Sequence, residues 1–279
     1  MVYDKSRSAS KKISLLYSGG CDSTLSASIL AKDFEEIHLV TFKHYATWNV
    51  GRSRINVQKL RVENKQVRFI HVFLNTSGLF YNIQKGFFND RAMLPYFPLY
   101  ICGACKLAMH TDLICYNLAH DITFASSGAS HEMSMFPAQT EGGLSHLEKY
   151  YAEYGMQLMS PVYRKKNVDV EAIEKGLLEP RHLKKKHKAS WNKLSDLYVP
   201  IKNVIDNTQG FCFWIAAVDI YIAREQKKSR LSRTQQVSRV SKFSQQYYQK
   251  KIDDICRKYI ELSQKKQKRK QINHTKFIV

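Results

Sequence analysis

The stretch KISLLYSGGCDSTLSASILAK, residues 12–32, decides the fold. It opens with a brief apolar run, Ile13 to Tyr17, of the kind expected for a strand buried on both faces. Two glycines and a group of polar residues follow at once, and then a helical stretch over Ser23–Lys32. Paired glycines at Gly19 and Gly20 let the backbone turn tightly and approach a ligand with no Cβ in the way. The next amides sit at a helix N-terminus, where unpaired N–H donors and the positive end of the dipole favour phosphate. Ser18, Ser23 and Thr24 add hydroxyl groups, and Asp22 is placed to hold a Mg²⁺ that neutralises phosphate charge. The turn carries no G-x-x-x-x-G-K-S/T sequence, so no lysine reaches the phosphates from it.

Outward from this turn, short β-type runs alternate with helical stretches. The expected strands are Lys12–Tyr17, Glu36–Phe42, Val67–Leu74 and Asp121–Ala125, and the expected helices Ser23–Lys32, Arg54–Asn64, Leu79–Phe88 and Ala104–Ala119. Such alternation predicts an α/β fold, a Rossmann-like parallel sheet with helices on both faces. The helices have the length of right-handed crossovers between neighbouring strands. Past residue 160 the texture changes. Residues 164–193 are dense in Lys, Arg and His, Gly210–Arg224 reads as an apolar helix, and a Ser- and Arg-rich link over Lys227–Thr234 follows. Val237, Val240, Phe243, Tyr247, Ile252, Ile255, Tyr259 and Leu262 then recur at the three- and four-residue spacing of a helix with one apolar face.

The S-G-G-C-D-S run at Ser18–Ser23 resembles the S-G-G-x-D-S signature of the PP-loop ATP pyrophosphatases, adenine-nucleotide-binding enzymes with a Rossmann-like sheet. The resemblance covers the layout of residues 12–225 and is tight at the loop. It implies that ATP and Mg²⁺ bind there, that pyrophosphate leaves from the loop, and that a substrate oxygen attacks the α-phosphate. It further implies that Phe42 and Lys43, at the end of the second strand, face the adenine, because ligands sit at the carboxyl ends of such strands. Gly128, just past the last expected strand, matches a family glycine, whereas His131 and Glu132 are displaced from the family's register. The division implied is a PP-loop domain over residues 1–225, with the basic stretch at 164–193 as an excursion, and a basic helical extension with a tail over 226–279.

Cys102 and Cys105 form a C-x-x-C that is expected to open a helix, where exposure to N–H donors lowers a thiol's pKa. With Cys212 they leave one position open on a four-coordinate or cluster site. This layout resembles the tRNA-thiolating PP-loop enzymes, in several of which such cysteines hold a 4Fe-4S cluster. In the related 2-thiouridylases, separated cysteines carry a persulfide, and Asp206–Phe213 is similar to a segment of that branch. Zinc at the same thiols is the third reading. Cys115 and Cys256 read as core residues, and Cys21 fills the variable position of the loop.

The implied activity is adenylation of a tRNA base followed by sulfur transfer, with Asp22, Cys102 and Cys212 as catalytic residues and a separate sulfur donor. Two alternatives stand beside it. One is a PP-loop enzyme acting on a small molecule, such as a deazapurine nitrile synthase, a sulfonucleotide reductase or an amide-forming ligase. The other is an inactive nucleotide-binding module that docks on RNA or protein. The formal charge of +20, from 44 Lys and Arg against 24 Asp and Glu, creates a field that attracts polyanions and points to nucleic acid. No stretch reaches the roughly twenty apolar residues that span a bilayer. A soluble cytoplasmic protein with reduced thiols is expected, as a monomer or a homodimer.

Overall fold

The computed structural model describes residues 11–85, 97–178, 211–212 and 232–275. In chain order the elements are β1 (Lys12–Leu16), α1 (Cys21–Leu30), β2 (Glu36–Lys43), β3 (Thr47–Trp48), α2 (Arg54–Glu63), β4 (Arg68–Asn75), α3 (Ser77–Gln84) and α4 (Phe97–Ala119). There follow β5 (Phe124–Ser127), α5 (Glu141–Ala152), β6 (Gln157–Met159), α6 (Val168–Glu174), β7 (Phe211–Cys212), α7 (Arg233–Lys251), a π-helical turn (Ile252–Cys256) and α8 (Arg257–Thr275). Five strands form one parallel sheet in the order β4-β2-β1-β5-β6, as the α/β pattern predicts. A short antiparallel pair, β3 with β7, lies apart from it.

Each face of the sheet buries its own apolar cluster, because successive side chains of a strand point to opposite sides. Ile13, Leu15, Ile37 and Leu39 pack with Leu25, Val57, Leu60 and Leu177 on one face. On the other, Val40 and Ala125 pack with Phe80, Leu107, Leu113 and Leu147. Each fully buried Leu, Ile or Phe contributes about 1.5–3 kcal/mol relative to an exposed one. The amphipathic spacing read near the C-terminus produces α7, the π turn and α8. Their Val240, Phe243, Tyr247, Ile252 and Ile260 are buried, and Leu262 is exposed. Four of these, with Cys256, complete the second cluster, so the C-terminal helices are part of the main core.

Several boundaries differ from the sequence pattern. The strand expected over Asp121–Ala125 runs instead over Phe124–Ser127, since Asp121 adopts a left-handed φ of 53° in the turn that ends α4. Three-residue β6 has one buried side chain, Leu158, too little for a periodic signal. Helix α4 starts at Phe97 rather than Ala104. Phe211 and Cys212 are strand residues where a helix was expected. The rest of that apolar stretch, the basic run from Pro180 to Lys193, most of the Lys227–Thr234 link and Lys276 lie outside the described residues. Among the described residues no helix is long and apolar enough to cross a membrane.

Candidate functional site

From β1 the chain proceeds outward to β2 and β4, then returns across β1 to place β5 and β6 on its other side. The reversal leaves a crevice at the carboxyl ends of β1, β2 and β5, where ligands of open α/β sheets bind. A cavity of about 310 Å³ occupies it, within the usual size of a small-molecule site.

The Ser18–Ser23 turn forms one wall. Gly19 adopts a φ of +79°, which a side chain would strain. Gly20 caps α1 in an extended conformation without a side-chain cap, at the helix end whose amides and dipole favour an anion. The turn is braced from within and below. The Ser18 amide donates to Ser23 Oγ at 3.3 Å, Ser23 Oγ donates to the Gly20 carbonyl at 3.2 Å, and the Gly20 amide donates to Ser18 Oγ at 3.2 Å. Buried Asn56 on α2 donates to the Gly19 carbonyl at 2.8 Å, and Thr41 Oγ1 donates to the Tyr17 carbonyl at 2.7 Å. Gly128, at the end of β5, lies so near the turn that a Cβ would meet the Ser23 amide nitrogen at 2.8 Å.

Ser18, Gly20, Asp22, Ser23, Phe42 and Gly128 line the cavity together. Asp22 lines the cavity at the start of α1, where its carboxylate would hold a Mg²⁺ that neutralises phosphate charge. Thr24 is buried beneath the turn, 3.4 Å from the Tyr17 hydroxyl, and supports it from inside. Lys43 lies at the exposed end of β2, outside the cavity lining. His131 and Glu132 are likewise outside the cavity lining, and the His131 ring rests near Tyr163.

The opposite wall is α4. Cys102, Cys105, Lys106 and Met109 face the cavity from it, so the phosphate turn and the C-x-x-C thiols share one space. With α4 starting at Phe97, however, both thiols sit beyond the first turn. Their amides are paired within the helix, and the activation by a helix N-terminus expected from the sequence does not apply. Pro98, second in the helix, is the start signal that marks the true boundary. Cys105 meets a different group: its Sγ lies 3.2 Å from His44 Nε2. His44, just after β2, lines the same cavity and is missed by any reading of motifs. Burial and, secondarily, the Lys106 cation lower its pKa to about 4, so the ring is neutral at pH 7.

Cys212 is placed by its backbone alone, which pairs with Thr47, itself a cavity-lining residue. Among the described residues no three His, Cys, Asp or Glu side chains gather closely enough to hold a metal ion. The two described thiols therefore do not by themselves make the cluster or zinc site implied by the resemblance. Cys115 packs against the core and Cys256 lies inside it, as the sequence suggested, and burial pushes both thiols up to about 12.

No protein-family model and no curated protein matches the chain. Among solved structures it is similar to U34-tRNA thiolase NcsA from Methanococcus maripaludis with its 4Fe-4S cluster, at 12% identity over 88% of this chain and 73% of that one, with a TM-score of 0.39. It is similar to NMN synthetase from Francisella tularensis, at 15% identity over 81% and 89% of the two chains and a TM-score of 0.40. A predicted subunit of tRNA methyltransferase from Methanocaldococcus jannaschii shares 17% identity over 58% and 74%, with a TM-score of 0.36. In the S-G-G-C-D-S turn after β1 and in the five-stranded parallel sheet that carries it, the chain is similar to the PP-loop ATP pyrophosphatases.

Proposed function

We propose that the protein binds Mg·ATP at Ser18–Thr24, adenylates a carbonyl oxygen of a tRNA base, and replaces that oxygen with sulfur. The observation that supports this most is the shared cavity, with a phosphate turn on one wall and Cys102 and Cys105 on the other. The base oxygen attacks the α-phosphorus and the bond to pyrophosphate breaks. Hydrosulfide from the separate donor then adds at the activated carbon, the carbon–oxygen bond breaks and AMP leaves. Amides of the turn and the start of α1 stabilise charge on the departing pyrophosphate, with the Ser18 and Ser23 hydroxyls beside them. Bound Mg²⁺ would supply further charge neutralisation, held by Asp22. Lys106, across the cavity, adds a cation, and among the described residues no carboxylate pairs with it.

Exposed Lys258, Lys265, Lys266 and Lys268 on α8 add to the net charge of +20 and suit contacts to RNA phosphates. The sulfur comes from a separate donor.

The reading is tested by pyrophosphate release from Mg·ATP, with and without bulk tRNA, in the parent protein and in Asp22→Ala and Cys102→Ala. Release that needs both tRNA and Asp22, with sulfur incorporation lost in Cys102→Ala, is the expected result. Release indifferent to tRNA would replace the RNA with a small-molecule substrate. Absence of release in every arm would leave a nucleotide-binding module.

A further inference from the structure

Cys105 and His44 lie 61 residues apart in sequence and meet in the cavity wall at 3.2 Å. The proton on the imidazole can be assigned from its other contact. His44 Nδ1 accepts the Ala46 amide N–H at 3.2 Å, so that nitrogen carries no hydrogen. In the neutral ring the hydrogen is then on Nε2, aimed at Cys105 Sγ. A tight turn fixes the ring in this pose. The His44 amide donates to Thr47 Oγ1 at 2.9 Å, the Thr47 amide donates back to the His44 carbonyl at 2.9 Å, and the ring packs edge-on to Phe80 at 4.8 Å. The pairing of Thr47 with Cys212 clamps the same turn from its other side.

We propose that His44 is a positioning residue for Cys105: its Nε2–H holds the Cys105 sulfur at the cavity wall as a reactive thiol. The proposal rests on the sulfur-transfer reading for its biological purpose, but the pairing itself does not need ATP or tRNA. Because Nε2 already bears its proton, His44 acts as a donor to the sulfur and not as the base that deprotonates it. An N–H directed at sulfur favours the negative form, the nucleophile in thiol chemistry. Cys102, one helical turn away in the same wall, has Leu99, Phe136 and Val240 as its packing neighbours.

The test is the rate at which each cysteine is modified by methyl methanethiosulfonate, read peptide by peptide by mass spectrometry at pH 7, without ATP or tRNA. The thiolate attacks the reagent's sulfenyl sulfur, a disulfide forms and methanesulfinate leaves. Cys21, in the phosphate turn and lining the same cavity, reports whether the cavity stays open. His44→Ala should slow Cys105 at least tenfold and leave Cys21 within about twofold. His44→Gln, whose amide N–H can replace Nε2–H but cannot act as a base, should restore Cys105 to within about threefold of the parent. Equal rates for Cys105 in the parent and His44→Ala would overturn the proposal, as would equal slowing of Cys105 and Cys21. Stoichiometric iron or zinc that protects Cys102 and Cys105 alike would also overturn it. If the Cys105 rates follow His44 while tRNA gains no sulfur in the pyrophosphate experiment, the positioning stands and the sulfurtransferase reading falls.

Discussion

Gly128 has no side chain, and the turn it touches leaves no room for one. A Cβ there would lie 2.8 Å from the Ser23 nitrogen, 3.0 Å from its Cα and 3.1 Å from the Asp22 carbonyl carbon, all backbone atoms that cannot rotate away. Gly128→Ala must therefore displace either β5 or the start of α1. The expected result is at least tenfold weaker ATP binding by titration calorimetry, with about 1–3 kcal/mol of stability lost. Unaltered ATP affinity in a folded Gly128→Ala protein would show that the turn does not grip the nucleotide. At this scale the turn after β1 was legible because its information is local: two glycines, three hydroxyls and an acid span the end of a strand and the first turn of a helix. His44 was not legible. Its importance depends on a partner brought to it by α4, and a histidine after a strand carries no motif. The cysteines fell between these cases: Cys102 and Cys105 line the same cavity as the turn, but they sit inside the helix rather than at its start.

Helix α7 shows how an element at the far end of the chain shapes the cavity. Its N-terminus carries a capping box in which Ser232 Oγ accepts the Gln235 amide and Gln235 Oε1 accepts the Ser232 amide. Ser232→Ala should cost about 1 kcal/mol, measured as a shift in urea midpoint, with little change in ATP binding. Farther along, Ser241 Oγ accepts the Gly142 amide at 3.0 Å and Ser244 Oγ donates to the Pro137 carbonyl at 2.7 Å. The close approach needs the two glycines at the start of α5, since a Cβ on Gly143 would lie 2.2 Å from the Pro137 oxygen. Pro137 precedes Ala138 and Gln139, which line the cavity. Gly143→Ala should therefore both destabilise the fold and weaken ATP binding, whereas Ser232→Ala should do only the former. Equal effects from the two variants would argue against a link from α7 to the cavity. The amphipathic period announced these helices, but the seam was not readable, because Gly-Gly and Ser-x-x-Ser gain their meaning only when packed together.

Across the whole molecule, histidines held neutral by burial or half-burial should weaken the fold in acid. Burial lowers His71 to about 4, helped by Arg54 and Arg61, and lowers His110 to about 3, helped by Lys106. Unfolded, both would titrate near the ordinary value of about 6.5. As pH falls from 6.5 towards 4 the unfolded chain takes up protons that the native protein refuses. Stability is thus complete above pH 6.5 and declines through that window, by at most about 1.4 kcal/mol per pH unit for each proton. The buried carboxyl of Asp112, raised by desolvation, acts in the opposite sense and moderates the decline. Urea midpoints at pH 7.5, 6.5, 5.5 and 4.5 should drop progressively, and a flat series would contradict the buried, neutral assignment. If the excess of basic residues serves RNA, log affinity should also fall linearly with log salt, with a slope of about −0.7 to −0.9 per phosphate contacted. A filter-binding series in rising KCl would reveal a nonionic interface by its lack of slope.

The hydrogen bond from Ser244 to Pro137 joins residues 107 apart, and it has a consequence for the order in which the molecule comes into being. Synthesis delivers β1, the phosphate turn and the C-x-x-C helix long before α7 exists. Until that last segment leaves the ribosome, the wall at Pro137 lacks its brace and the second core lacks Phe243, Tyr247 and Ile260. Contacts that close so late cannot nucleate early folding. The nascent chain carries the Ser18–Ser23 letters well before their cavity is walled, and the ATP binding proposed for it should arrive abruptly, with the emergence of a helix that carries no part of that turn.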